Sequence, residues 1–194
     1  TDDIKIVKIA KKNNFKTILT PRSCKTGTDR ISYAAKKINS KIIVNVQGDE
    51  PLIKTGDIKK VIKLKKKYPD YVICGYAKIK DNKEINNPNV IKLVKNSENK
   101  LIYFSRSKIP LCKKNKNRTF HKQVCVYSFN KKQLLKFSKA KRSSIEKIED
   151  IELLRFLDLD IKIKMCKVSS TTAVDVPSDI KKVEKILKKM RINS

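Results

Sequence analysis

The amino-acid sequence predicts an α/β fold, a three-layer sandwich with an inserted antiparallel portion. Three observations predict it. Segments of helical period alternate with short apolar runs in the first part of the chain. One of those runs, within Lys41 to Val46, is continuous (Ile42, Ile43, Val44), as suits a buried parallel strand. From Val90 onward the rhythm changes to strand-like runs joined by loops before helices return.

In chain order, Ile4 to Lys12 reads as an amphipathic helix, with Ile4, Val7, Ile9 and Ala10 apolar. Phe15 to Leu19 reads as a strand, Asp29 to Ile38 as a helix, and Lys41 to Val46 as the buried strand. Gly56 to Lys67 is a helix stopped near Pro69, and Tyr71 to Lys78 a strand. Val90 to Lys95, Leu101 to Ser105 and Val124 to Phe129 form the inserted strands, and Lys113 to Arg118 is a polar loop expected to be mobile. A long helix is expected over Ser144 to Leu159, with Ser144 as N-cap and Glu146 in its first turn. Ile145, Ile148, Ile151, Leu154 and Leu157 give it an apolar stripe. Ile161 to Val168 is a strand, and Ser178 to Met190, after Pro177, a closing helix. With no repeat and no linker, residues 1–194 read as one domain.

Composition narrows the function. The 48 Lys and Arg against 19 Asp and Glu give a net charge of +29, yet only seven of the 48 are Arg. The lysines are spread along the whole chain, which reads as solvated surface rather than a nucleic-acid footprint. The field would still steer polyanionic substrates. No apolar run approaches the roughly 18 residues of a membrane span, and no charged-then-apolar leader opens the chain. The five cysteines include no CxxC pair, and three lie in apolar runs. They read as small buried hydrophobes in a reducing cytoplasm, and a zinc site is not expected.

Three constellations can carry chemistry. Gln47-Gly48-Asp49-Glu50-Pro51 follows the apolar strand directly. It is either a polar turn or a carboxylate at a strand end able to hold a hard cation such as Mg²⁺. Asp175, in Ala173 to Asp179, lies on a second strand-end loop, so the two carboxylates could share a metal. Thr26-Gly27-Thr28-Asp29-Arg30 opens a helix whose free N–H groups could face an anion or base edge, with Thr28 as an N-cap the structural alternative. His121, the only histidine, receives no role.

Taken together, these segments resemble the 3-deoxy-manno-octulosonate cytidylyltransferase (CMP-KDO synthetase) family over nearly the whole chain. Thr26 to Arg30 looks like its S-G-T-D/E-R segment, and Val44 to Pro51 reads as V-N-V-Q-G-D-E-P. Asn87 to Val90 with Lys92, and Tyr103 to Arg106 with Ile109-Pro110, match N-P-N-x-V-K and Y-F-S-R-x-x-I-P. Ile145 to Leu157 matches L-E-x-I-E-x-L-E-Q-L-R-x-L, and Val174 to Ile180 matches V-D-T-P-E-D-L. The resemblance implies a nucleotidyltransferase-like, Rossmann-like mixed sheet and a cytoplasmic homodimer serving lipopolysaccharide biosynthesis. It implies transfer of CMP from CTP to the anomeric hydroxyl of an eight-carbon acidic sugar, with release of pyrophosphate. Mg²⁺ would be held by Asp49 and Asp175, also the catalytic pair. Thr26, Gly27 and Arg30 would serve the nucleotide. Gln47, Lys92, Arg106, Gln123, Tyr127 and Glu152 would serve the sugar, Lys92 and Arg106 through its carboxylate.

The sequence also departs from the family pattern. The family opens with a strand, a basic P-A-R-x-x-S-x-R-x-P-G-K-P loop and a helix before its second strand, whose end Thr1-Asp2-Asp3 resembles. The expectation is a domain lacking this N-terminal βα unit, hence inactive and poorly stable by itself. Gln123 stands where the family has the His of H-I-G-I-Y-x-Y, Cys125 replaces the Gly, and Leu153 replaces a Gln. These changes suggest a modified substrate such as the 8-amino-8-deoxy analogue of KDO. Other readings are a cytidylyltransferase for a nine-carbon nonulosonate, a non-catalytic remnant, and a basic nucleic-acid-binding module. The expected partners are CTP and the acidic sugar, with no nucleic acid and no membrane insertion.

Overall fold

Strand β5 (His121–Phe129) organises the sheet. In this computed structural model, which describes residues 1–111, 113, 119–174 and 176–192, one edge of β5 is taken by β2 (Val72–Lys78). The other edge carries two strands end to end. β1 (Ile43–Val46) pairs with its C-terminal half, from Ile43 opposite Phe129 to Val46 opposite Val126. β3 (Lys92–Lys95) pairs with its start, Lys92 opposite Lys122 and Leu93 opposite His121. β4 (Leu101–Ser105) lies outside β3, and β6 (Ile163–Lys167) lies outside β2. Among the described residues β2 and β6 run parallel and the other pairs are antiparallel, so the sheet is mixed.

The parallel setting expected for Lys41 to Val46 is therefore corrected. β1 is antiparallel to β5, and only Ile43 and Asn45 of it are buried. A short apolar run reports burial but not direction. Phe15 to Leu19 is not a strand either. It makes no ladder among the described residues: the Phe15 N–H donates to Ala10 O (2.9 Å), the Thr1 ammonium to Ile18 O (3.3 Å), and the neighbouring Thr20 N–H to Thr1 O (2.9 Å). Phe15 and Leu19 stay exposed, so local β-propensity goes unused for want of a partner.

Helices cover both faces. α2 (Gly27–Ala35), α5 (Lys131–Lys139), α6 (Ser144–Glu149) and α7 (Leu154–Asp158) lie on one side, and α3 (Thr55–Lys67) on the other. β2 serves both cores by alternation, Cys74 to the first and Ile73 to the second. In the first core Phe156 stacks on Phe129 (5.5 Å between centroids) and packs on Phe137 (4.7 Å). Each such ring stabilises the fold by about 1.5–3 kcal/mol through burial. In the second, Val61 of α3 meets Ile73, Val126 and Val168. α1 (Ile4–Lys12), α4 (Asn82–Asn86) and α8 (Pro177–Ile192) complete the chain. Among the described residues no helix is long and apolar enough to cross a membrane.

The helix expected over Ser144 to Leu159 is two helices. Asp150 adopts the left-handed conformation (φ 50°), and Ser143, not Ser144, is the N-cap, in a capping box with Glu146. The break turns Ile151 and Leu153 into the core and leaves Ile148 81% exposed, so the stripe read at one period is served by two axes. α5 has no counterpart among the elements expected from sequence. Its signal is Asn130 with Gln133, a reciprocal cap ahead of Leu134 and Phe137. Residues 112 and 114–118, most of the polar loop, lie outside the described residues.

Candidate active site

Because β1 and β3 share one edge of β5, the stretch Gln123 to Cys125 belongs to neither ladder on that side. The chain closes it with loops. Cys125 O accepts the Gln47 N–H (3.2 Å), Cys125 N–H donates to Glu50 Oε1 (3.1 Å), and Gln123 N–H donates to Ile91 O (2.9 Å). A cleft of about 830 Å³ opens over this fork. It is lined by Gln47 and Asp49 from the end of β1, Arg106 after β4, Gln123 and Tyr127 of β5, and Glu152 from the α6–α7 turn. Six sequence-predicted residues from four separate segments thus meet in one place.

Asp49 lines the cleft, and its carbonyl accepts the Val174 N–H (2.9 Å), which ties the two strand-end loops together. Asp175, the second predicted carboxylate, lies outside the described residues. Glu50 is 4% exposed. Burial raises its carboxyl above the usual range; the Thr171 hydroxyl and the Cys125 N–H pull it partly back, and neighbouring Asp49 adds to the rise. The donors suit a hard cation, since Mg²⁺ takes one or two protein carboxylates and completes its shell with water and phosphate oxygens. Among the described residues no three His, Cys, Asp or Glu gather into a metal-holding group.

Glu152 accepts two hydrogen bonds in the same lining. Oε1 accepts from the Gln47 amide (3.2 Å) and Oε2 from the Thr28 N–H (2.9 Å). Its carboxyl too is raised by burial, with the bonds from Thr28 and Thr26 opposing. The first turn of α2 therefore faces the protein's own carboxylate. Thr26 is its N-cap, Oγ1 accepting the Asp29 N–H (3.1 Å); Thr28, the N-cap read from sequence, lies inside the helix. A Cβ on Gly27 would stand 3.7 Å from both the Gln47 amide nitrogen and Glu152 Oε2. Arg30 turns away from the cleft, donating to Thr20 Oγ1 (2.5 Å) and Pro21 O (3.3 Å) and pairing with Asp2 (3.3 Å). Thr26, Gly27 and Arg30 are not lining residues.

In the floor, the Gln123 amide donates to the Tyr127 hydroxyl (3.1 Å). Its Oε1 is buried and has no hydrogen-bond partner among the described residues. Tyr127 is 2% exposed, and burial raises its phenol.

Two predicted cations have structural contacts. Lys92 is fully buried and outside the lining, Nζ donating to Asn87 O (2.9 Å) and to Arg106 O; burial and the Arg106 charge lower its pKa. Arg106 reaches the cleft wall, but its guanidinium donates to Glu149 O (2.7 Å), Pro88 O (2.9 Å) and Asp150 O (3.0 Å). Sequence reasoning missed Lys122, Glu84 and Thr171. Lys122 Nζ donates to Glu84 Oε1 (2.5 Å) and Thr171 O (3.2 Å), inside the lining. A strand started at Val124 rather than His121 leaves Lys122 in a loop, which hides it.

Comparison with known proteins places this geometry. The family profile described as cytidylyltransferase matches residues 1–163. The 3-deoxy-manno-octulosonate cytidylyltransferase of a Nitratiruptor species is 36% identical over 190 residues, 94% of this chain and 79% of that protein. The enzyme of the same name from Thermodesulfovibrio yellowstonii is 34% identical, over 96% of this chain and 79% of its own. Among solved structures, a CMP:2-keto-3-deoxy-manno-octonic acid synthetase complexed with CTP superposes with TM-score 0.91 at 29% identity, covering 98% of this chain and 79% of that one. The inositol-1-phosphate CTP transferase of T. maritima shares the fold at TM-score 0.58 and 16% identity, covering 89% of this chain and 66% of that one. By profile, sequence relatives and fold, the chain belongs to the cytidylyltransferase family.

Proposed function

We propose that the protein transfers CMP from CTP to the anomeric hydroxyl of 3-deoxy-manno-octulosonate. The sugar oxygen attacks the α-phosphorus, and the bond from that phosphorus to the bridging oxygen breaks. Pyrophosphate leaves with the electron pair, and the hydroxyl proton is released. The observation that carries the reading is the fork on β5, which gathers Asp49, Gln47, Glu152, Gln123 and Tyr127 around one cleft. Reactions of this kind need positioning and charge neutralisation more than covalent help from the protein.

Asp49, with Asp175, is assigned to hold Mg²⁺, which when bound neutralises triphosphate charge. Gln47, Glu152, Gln123 and Tyr127 present amide, carboxylate and phenol groups suited to sugar hydroxyls. Thr26 and Gly27 act on the cleft indirectly, by shaping the α2 terminus around Glu152. The family likeness supports a cytoplasmic homodimer, and the solution mass by light scattering would test the dimer.

A second acceptor, the 8-amino-8-deoxy analogue, is favoured by the unpartnered Gln123 Oε1, an acceptor suited to an ammonium group. The test is CTP-dependent pyrophosphate release with KDO, that analogue or a nonulosonate as acceptor. No release with KDO or the analogue overturns the function. A clear preference for KDO removes the second acceptor.

A further inference from the structure

The cleft lining has a charge opposite to that of the molecule. Seven of its residues are Asp or Glu and four are Lys or Arg, on a chain of net charge +29. Under the proposed function this cleft must receive two anions, a triphosphate and a sugar carboxylate. The four cations are differently placed to meet them. Arg106 is held by three carbonyls. Lys182 pairs with Asp179 (2.7 Å) at the rim, and Lys83 is exposed. Lys122 alone among them is buried, its side chain 9% exposed and its Nζ on Glu84 Oε1 and Thr171 O. Those contacts use two of its three N–H donors.

We infer that Lys122 is a further substrate-binding residue, the desolvated cation for a substrate oxyanion, and that Glu84 is its resident stand-in. A buried ammonium without an anion is costly, so the ligand-free site needs a carboxylate beside it. Glu84 supplies one from α4, a five-residue helix with no buried residue. Its side chain is 28% exposed, so it has an open path back to water. A carboxylate or phosphate oxygen offers Lys122 the same chemistry, and binding becomes an exchange of one oxyanion for another. The cost appears in the ligand-free state: the fraction of molecules with Lys122 free sets the apparent affinity.

The inference rests on the proposed function for its ligands and is tested separately from it. Wild type, Glu84→Gln, Lys122→Met and the double variant are each titrated with Mg²⁺–CTP and with KDO by calorimetry, alongside the pyrophosphate assay and thermal melts. Glu84→Gln is expected to bind one of the two ligands about fivefold more tightly. Lys122→Met is expected to weaken that same ligand, and the double variant to lose the gain. Which ligand responds identifies the source of the oxyanion. A structural clamp predicts the opposite for Glu84→Gln: a lower melting temperature with unchanged or weaker binding of both ligands. That result, or a gain that survives in the double variant, overturns the inference. A wild type that binds both ligands but releases no pyrophosphate removes the functional reading and leaves the exchange standing.

Discussion

Glu152 and Thr28 are joined across 124 residues of sequence by one hydrogen bond, the Thr28 N–H donating to Glu152 Oε2 at 2.9 Å. Through it the first turn of α2 is fixed to the α6–α7 break, and through Oε1 the same carboxyl holds the Gln47 amide. Burial raises this carboxyl, as it raises that of Glu50. A raised folded-state value means that the folded protein keeps the proton where the unfolded chain has lost it. The stability this contributes is full below the unfolded value of 4.5 and is lost as pH rises through the folded one. Glu50→Gln, which keeps an acceptor for the Cys125 N–H, should remove part of that loss. Denaturant melts from pH 4 to pH 7 are expected to show the variant gaining on wild type as pH rises. A constant difference across the range would contradict the burial argument.

Asp49→Ala should leave the fold intact and reduce CTP-dependent pyrophosphate release by about a hundredfold or more, the scale of losing one preorganised electrostatic partner. Circular dichroism checks the first part and the coupled assay the second. Full activity in the variant would end the metal assignment.

Arg155 is 2% exposed and joins Glu146 (2.6 and 2.7 Å) to Asp29 (3.1 Å) while lying 3.8 Å over the Phe137 ring. Arg155→Met would leave fully buried Glu146 with only Arg142 (3.1 Å) and the Ser143 N–H (3.3 Å), and is expected to cost about 3 kcal/mol. Urea unfolding measures it. A loss below about 1 kcal/mol would place the network among weakly coupled surface pairs.

Gly75 lies at the bulge where β2 shifts register on β5, and an added Cβ would sit 2.6 Å from Val126 Cγ1 and 3.0 Å from Val124 O. Gly75→Ala must push β5 or its side chains aside. A destabilisation of about 1–3 kcal/mol is expected, read as a lower denaturant midpoint. An unchanged midpoint would mean that the bulge absorbs the methyl group.

Part of the candidate site was legible in residue order. Asp49, Gln47, Arg106, Gln123, Tyr127 and Glu152 line one cleft, because short motifs at element ends survive errors in the elements themselves. What was illegible depended on partners distant in sequence. The direction of β1 is set by β5, which lies far along the chain, and nothing in Ile42-Ile43-Val44 encodes that choice. The helix break at Asp150 left a period intact on paper while rotating Ile148 into water. Arg30 and Arg106 carried the right chemistry for anions, but backbone carbonyls, Thr20 and Asp2 already occupy much of it. A motif names a side chain and says nothing of what else competes for its donors.

Two short strands laid end to end on one long one make β5 a shared rail with independent carriages. The β1 carriage bears Gln47 to Glu50, and the β3 carriage is flanked by the segments Asn87 to Ile91 and Ser105 to Arg106. Neither ladder passes through the other, and the two ends meet through side chains such as Lys122 and Arg106. The architecture is modular: the register of each short strand on β5 is set separately, so the two ends of the cleft are built by separate stretches of chain.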